Sequence, residues 1–284
     1  MAQRKRGIMS TVAACVNGSS MRLRRVVKVV AYGFLLMPLV ATAQTSSTGL
    51  AEAVARVKPS VVLVGTFKAT NSPRFTLRGT GFVVGDGNFA ITNAHVIPEG
   101  MEKDPESRVV IQVRTPQSEL QARVATVLEI DKPRDLALPQ FDGPPVPKLS
   151  IRDSDTAREG QAIAFMGFPI GGALGFSPVT HRGIISSITA IALPASNASQ
   201  LNARNIASLR SGGFNVFQLD ATAYPGNSGG PMFDADTGEV LGVINMVFIK
   251  GTKESALTHP SGISYAIPSK YVAELVSRHK GPTK

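Results

Sequence analysis

The sequence predicts an all-β fold in which two runs of short strands close as two barrels or pack as a sandwich. Three observations predict it. Short runs rich in Val and Ile recur along the chain, each bounded by Gly, Asp, Asn or Pro. A Pro-rich bridge from Pro139 to Pro147 divides these runs into two groups. Helical spacing is confined to a short stretch before the first strand and to Ser269–His279 after the last, where Tyr271, Val272, Leu275 and Val276 share one side.

Composition narrows the class. The 284 residues are 43% hydrophobic and 18% charged, enough apolar material for one large domain or two small ones. The 27 glycines and 19 prolines follow no G-x-y period, so they read as turns, and collagen-like and coiled-coil classes drop out. A single cysteine, Cys15, excludes an internal disulfide framework and a cysteine-built zinc site. No cofactor and no metal are expected.

Taken in chain order, residues 1–43 read as a signal peptide. A basic head, Met21-Arg22-Leu23-Arg24-Arg25, precedes an apolar run from Val29 to Val40 and the small residues Ala41-Thr42-Ala43, the three-part layout of a secretory signal. The apolar run is short for ~30 Å of hydrocarbon, and Pro38 interrupts it. Cleavage after Ala43 is expected, with an uncleaved anchor as the alternative and Met21 as an alternative start. Export to the periplasm or the medium follows, with no stable membrane insertion once the signal is gone. Seven of the 30 basic residues and no acidic ones lie in residues 1–43, leaving 23 basic against 20 acidic. The formal net charge of +10 therefore belongs mostly to the targeting segment, and no nucleic-acid partner is expected.

Residues 44–57 read as a Ser/Thr linker and a short helix from Leu50 to Val57. Residues 58–147 form the first strand group: Val61–Gly65, Gly79–Val84, Phe89–Thr92, Val109–Val113, Gln121–Val127, and a strand headed by Asp135 through Leu136-Ala137-Leu138. Residues 148–284 hold the second group, Ala162–Gly167, Val179–Ile191, Val216–Ala221, Val240–Phe248 and Gly262–Ile267, followed by the C-terminal helix. No repeat of 20–50 residues is visible.

The most informative segment is Tyr224-Pro225-Gly226-Asn227-Ser228-Gly229-Gly230-Pro231. Glycine permits a positive φ and lets bare backbone approach a substrate, so a tight loop here can aim the N–H groups of Gly226 and Ser228 at one point beside the Ser228 hydroxyl. That is what an oxyanion hole requires; a glycine-rich hairpin with an idle serine is the alternative. A serine hydroxyl needs a base, and the base needs an orienting group. His95, in Thr92-Asn93-Ala94-His95-Val96 after a strand signal, is the base candidate, although alone it reads equally well as an interior histidine. His259 and His279 sit in polar surroundings, and His181 adjoins Arg182 in a strand-like run. Asp135 heads an apolar strand where it can be buried against an imidazole, whereas Asp131 reads as part of a turn. Gly226-Asn227-Ser228-Gly229-Gly230 also matches the G-x-S-x-G elbow of α/β-hydrolases, but there the acid and histidine follow the serine. Here both candidates precede it.

Thr92-Asn93-Ala94-His95-Val96, Asp135-Leu136-Ala137-Leu138 and Gly226-Asn227-Ser228-Gly229-Gly230-Pro231 resemble the triad segments of trypsin-like serine proteases, and most of all the HtrA/Deg group. Gly79-Thr80-Gly81-Phe82-Val83-Val84, Ala164–Pro169, Gly183-Ile184-Ile185-Ser186 and Gly262–Pro268 extend the likeness from about Leu50 to the C-terminal helix. The resemblance implies two six-stranded antiparallel β-barrels (chymotrypsin-like) with a short C-terminal helix, and an active site between the barrels. It implies catalysis by His95, Asp135 and Ser228, an oxyanion hole of Gly226 and Ser228 with Asn227 shaping the turn, and unfolded polypeptides as substrates. Thr222, six residues before the serine, becomes the base of the specificity pocket, with Asn245, Met246 and Val247 as its wall. No carboxylate stands at Thr222 to pair with Lys or Arg, so cleavage after small or medium apolar residues is expected; Asp220 points elsewhere.

Members of the group usually carry PDZ domains after the protease domain, which this sequence leaves no room for, and they are often trimers. Leu50–Val57 is too short a signal to specify a homo-oligomer. Pro139 stands where an aliphatic residue is expected and would end its strand early, and the polar loop Leu193–Gly213 has no assigned role. A catalytically silent, protease-shaped binding protein and an esterase on the same scaffold are the alternatives. A metal hydrolase is disfavoured by the lack of His-x-x-x-His or clustered ligand spacing.

Overall fold

The computed structural model describes residues 49–279, except 102–103, 105, 116, 173–174, 191–213 and 246–262, and except the side chains of 171–172. The signal peptide, the linker, Ile191, the Leu193–Gly213 loop, Met246–Phe248 and His259 lie outside the described residues.

Twelve strands form two closed barrels, and every paired ladder in them is antiparallel. The first comprises β1 (Val61–Lys68), β2 (Phe75–Val84), β3 (Phe89–Ile91), β4 (Ser107–Arg114), β5 (Leu120–Asp131) and β6 (Leu136–Phe141), in spatial order β1-β2-β3-β6-β5-β4. The second comprises β7 (Ala162–Gly167), β8 (Val179–Ala190), β9 (Asn215–Asp220), β10 (Pro231–Asp234), β11 (Val240–Asn245) and β12 (Ile263–Pro268), in order β10-β11-β12-β9-β8-β7. Helix α1 (Gly49–Val57) precedes the first barrel and α2 (Ser269–Ser277) follows the second. This is a barrel pair, not a sandwich. Among the described residues no helix is long and apolar enough to cross a membrane.

Strand periodicity explains why there are three cores. Successive side chains point to opposite faces, so Val62, Val64, Val83 and Ala137 fill the first barrel with Ile111 and Phe141. Their neighbours Val61, Leu63, Phe82, Val84, Leu136 and Leu138 face outward into a seam shared with Met166, Phe233, Val243 and Ile267 of the second barrel. Ala53 and Val57 of α1 and Tyr271, Val272, Leu275 and Val276 of α2 close this seam. Ile163, Phe165, Ile185, Phe217, Leu219 and Ile244 fill the second barrel.

Three expectations about strands are corrected. Pro139 does not end its strand: β6 runs on to Phe141, with Pro139 opposite Val127 at the register shift between Val127 and Glu129 of β5. A bulge is one of the places where a strand tolerates a residue with no N–H to give. The second group also contains a strand the apolar runs did not reveal, β10, whose four buried residues Pro231–Asp234 follow directly on the glycines of the serine motif. Strand β2 begins at Phe75 rather than Gly79, because Phe75 and Leu77 are half-buried and alternate with exposed Thr76 and Arg78.

Candidate active site

Asp135 lies in the turn between β5 and β6 and takes a left-handed conformation, φ 54°, which aspartate tolerates better than most residues. Its carbonyl accepts from the Ala94 N–H at 3.1 Å and from Asn93 Nδ2 at 3.0 Å, pinning this turn to the segment after β3. There a short 3-10 turn, Ala94–Val96, carries His95. Both carboxylate oxygens are engaged: Oδ1 accepts the His95 backbone N–H at 2.9 Å, and Oδ2 accepts from His95 Nδ1 at 2.6 Å and from Asn245 Nδ2 at 2.7 Å. A carboxylate acceptor places the ring proton on Nδ1, which leaves Nε2 with a lone pair. The His95 side chain is 34% exposed and the Asp135 side chain 18%, so the imidazole is held at its inner edge and open at its outer one. Asp131 closes β5 and accepts from the backbone and guanidinium N–H groups of Arg134, both at 3.1 Å; it does not approach His95.

The second component is the loop after β9. Gly226 has φ 103°, and a Cβ there would collide with the carbonyl oxygen of Phe168. Gly229 has φ 86°, and a Cβ there would strike the carbonyl of Thr80. Only glycine fits either place, because the serine loop is pressed between the two barrels. The Thr80 N–H donates to the Ser228 carbonyl at 2.9 Å, and Thr80 Oγ1 donates to the Gly226 carbonyl at 2.6 Å while accepting the Phe168 N–H at 3.0 Å. The backbone at Gly79 touches both Val96, next to His95, and Ser228. The structure thus brings the histidine turn and the serine loop to one edge of the seam.

Two peptide planes in this loop are set from behind. The Pro225 carbonyl accepts the Ile170 N–H at 2.7 Å, and the Asn227 carbonyl accepts the Gly230 N–H at 2.9 Å. In a trans peptide the N–H points opposite the C=O, so the N–H groups of Gly226 and Ser228 face away from these anchors. Among the described residues neither donates to any acceptor. Ile170 performs its anchoring with φ 59°, a strained conformation for a β-branched residue. Ser228 is 6% exposed, and its hydroxyl makes no hydrogen bond among the described residues. Two unpaired amides beside an unpaired hydroxyl can receive a negatively charged oxygen.

Asn227, between those two amides, is fully buried. Its Nδ2 lies 3.3 Å from His181 Nε2. Burial pushes the proton affinity of His181 below its ordinary value.

Of the four residues expected to form the specificity pocket, Thr222 and Asn245 are among the described ones. Thr222 is half-buried in the segment after β9. Ser264 of β12 brackets it, donating to the Ala221 carbonyl at 2.7 Å and accepting the Ala223 N–H at 2.9 Å. Asp220 ends β9 and is exposed. Met246 and Val247 lie outside the described residues. Asn245, expected in the pocket wall, donates its amide to Asp135; it shares the seam-facing side of β11 with Val243. Neither its partnership nor that of Thr80 was visible in the sequence. A polar residue closing a strand that is otherwise wholly apolar was the signal available for Asn245. A groove of about 1140 Å³ opens on the His95 side, lined by Arg78, Ile97, Met101, Ile130 and Lys132 with His95 and Asp135.

Residues 79–243 match the trypsin-like peptidase domain. The chain is similar to a probable periplasmic serine endoprotease DegP-like of Marinomonas sp. (strain MWYL1), 31% identical over 206 residues, 72% of this chain and 36% of the relative. It is 27% identical over 231 residues to serine protease HTRA1B of Danio rerio, 80% of this chain and 40% of that one. It is 30% identical over 209 residues to the mitochondrial serine protease HTRA2 of Drosophila pseudoobscura pseudoobscura, 74% and 40%. The chain therefore spans less than half the length of these curated relatives. Among solved structures, an HtrA-type protease AlgW with tripeptide superimposes with a TM-score of 0.56 at 25% identity, covering 80% of this chain and 62% of that one. Deg5 superimposes at 0.57 and 20% identity, covering 79% and 90%, and bears on the fold alone. The chain belongs to the trypsin-like peptidases, and within them its likeness is to the HtrA/Deg serine proteases.

Proposed function

We propose that the chain is a serine endopeptidase that hydrolyses unfolded polypeptides through an acyl-enzyme, with Ser228 as nucleophile, His95 as base and Asp135 as orienting acid. The Ser228 hydroxyl attacks the scissile carbonyl carbon as its proton passes to His95 Nε2. The carbonyl oxygen becomes an oxyanion, received by the N–H groups of Gly226 and Ser228. The C–N bond then breaks, the proton moves from His95 to the leaving amine, and water repeats the sequence to free the acid. Asp135 keeps the ring proton on Nδ1 and stabilises the imidazolium, and Asn245 helps hold the carboxylate in place. The observation that carries the reading is the hydrogen-bonded His95–Asp135–Asn245 cluster, set at the same barrel edge as a loop whose hydroxyl and two amides are unpaired among the described residues.

Thr222 serves as the base of the pocket for the residue before the scissile bond, which favours small or medium apolar side chains because no carboxylate stands there. The groove beside His95 receives a neighbouring stretch of substrate. Export to the periplasm is the proposed destination: residues 1–43 have the layout of a signal peptide, and the DegP-like relative is described as periplasmic. Other relatives are described as mitochondrial. The test is digestion of unfolded casein. Wild type is expected to cleave it after small or medium apolar residues, and Ser228→Ala to lower turnover by roughly 10⁴-fold or more. Undiminished cleavage by the variant removes the serine mechanism, and cleavage mainly after Arg or Lys removes the pocket.

One observation favours a second reading, that of a silent, protease-shaped binding protein: Ser228 makes no hydrogen bond to His95 among the described contacts. Such bonds are often loose without substrate. Covalent labelling of Ser228 by a fluorophosphonate separates the two readings.

A further inference from the structure

His181 has no part in the steps above, yet it sits directly behind them. On β8 it pairs with Phe165 of β7, and the two rings stack with centroids 4.7 Å apart and planes inclined by 15°. The Tyr224 ring lies against it as well, with centroids 5.9 Å apart and planes inclined by 41°. Its Nε2 is the one polar partner of the Asn227 side chain among the described residues, while Asn227 Oδ1 is buried with none. A fully buried amide with a single anchor is held wherever that anchor stands. This amide belongs to the residue between Gly226 and Ser228.

We propose that His181 is a positioning residue for the oxyanion site: its ring, held by Phe165 and Tyr224, fixes the Asn227 amide and with it the two peptide planes that aim the Gly226 and Ser228 N–H groups. The proposal rests on the serine peptidase reading. An amide N–H can only donate, so Nε2 has to accept, which requires a neutral ring with its proton on Nδ1. The surroundings agree. The described titratable side chain packed on the ring is Tyr224, Arg182 beside it on β8 is exposed, and desolvation alone lowers the proton affinity of His181 with no described charge acting on it. Protonation puts a donor against a donor, and the Asn227 amide then has to turn over inside a packed loop.

His181→Phe keeps the stacked ring and removes the acceptor, whereas His181→Gln restores an acceptor that does not titrate. The full chain, first shown to react with a fluorophosphonate, is assayed on a chromogenic peptide and with a peptide boronate that forms a tetrahedral adduct. His181→Phe is expected to lower kcat about tenfold, less than loss of a whole oxyanion donor, with KM little changed and boronate affinity falling by the same factor. His181→Gln is expected to recover most of the loss. The acidic limb of kcat/KM is expected to be steeper in wild type than in His181→Gln, because only wild type carries the second titrating ring. Wild-type kcat and boronate affinity in His181→Phe overturn the proposal. So does a loss that appears in KM alone, or one that His181→Gln shares in full. Wild type that does not label overturns the peptidase reading and the proposal with it. Wild type that labels while His181→Phe matches it overturns the proposal only.

Discussion

In the first barrel's share of the site, the acceptors of Asp135 are engaged: both carboxylate oxygens and the backbone carbonyl accept hydrogen bonds from Asn93, Ala94, His95 and Asn245. In the second barrel's share, from Tyr224 to Gly230, the opposite holds: the carbonyls of Pro225, Gly226, Asn227 and Ser228 are all bound, while the Ser228 hydroxyl and the N–H groups of Gly226 and Ser228 are not, among the described residues. The difference separates two jobs. A group that orients another is most useful when its own freedom is exhausted, whereas a group that meets substrate has to remain unpaired while its neighbours are fixed. The second loop achieves this by binding carbonyls so that the opposite ends of the same peptide planes stay open. Thr80 joins the two halves, since it belongs to a first-barrel strand and binds the second barrel's loop at two carbonyls.

The comparison breaks most severely at Asp135. Asp135→Asn presents an N–H where His95 Nδ1 needs an acceptor, selects the wrong tautomer, and is expected to lower kcat by about 10⁴-fold with substrate binding preserved. Steady-state kinetics beside a fold check by circular dichroism will show it; near-normal kcat would mean that the saturated half does not orient the base. A smaller loss is expected from Gly226→Ala. The added Cβ meets the Phe168 carbonyl at a φ that L-residues avoid, so the Gly226 amide shifts and kcat is expected to fall by roughly 10²- to 10³-fold, as for loss of one oxyanion donor. The downfield proton of the His95–Asp135 pair is expected to persist by NMR. Its disappearance would show that the two halves are not independent. The mildest effect is expected from Thr80→Val, which keeps the shape and removes the hydroxyl between Gly226 and Phe168. Thr80 is fully buried, so leaving its partners unsatisfied is expected to cost about 1–3 kcal/mol in urea unfolding, with about a tenfold fall in kcat through looser amides. A loss of stability without any change in kcat would confine Thr80 to holding the barrels together.

Most strands could be read from apolar runs between turn residues, and the three segments holding His95, Asp135 and Ser228 could be picked out by residue type alone. What escaped has physical causes. Strand β10 is four residues long and hidden behind glycines and a proline, so its apolar pattern is too brief to separate from the loop. Pro139 looked like a terminator because the bulge that accommodates it lies on the neighbouring strand. The hydrogen bond from Asn245 to Asp135 escaped because the face on which a strand residue emerges in a closed barrel decides which distant residue it meets.

By itself the sequence determined alternation along each strand, the glycines that permit Gly226 and Gly229 their positive φ, and the kinds of side chain available for chemistry. These are local properties, set by backbone sterics and by the period of two. Only the tertiary structure decided that Asn245 completes the Asp135 carboxylate, that Thr80 crosses from one barrel to hold the other's loop, and that His181 stands behind Asn227. Those partners are far apart along the chain, and barrel closure, which no local segment encodes, is what brings them within hydrogen-bond distance.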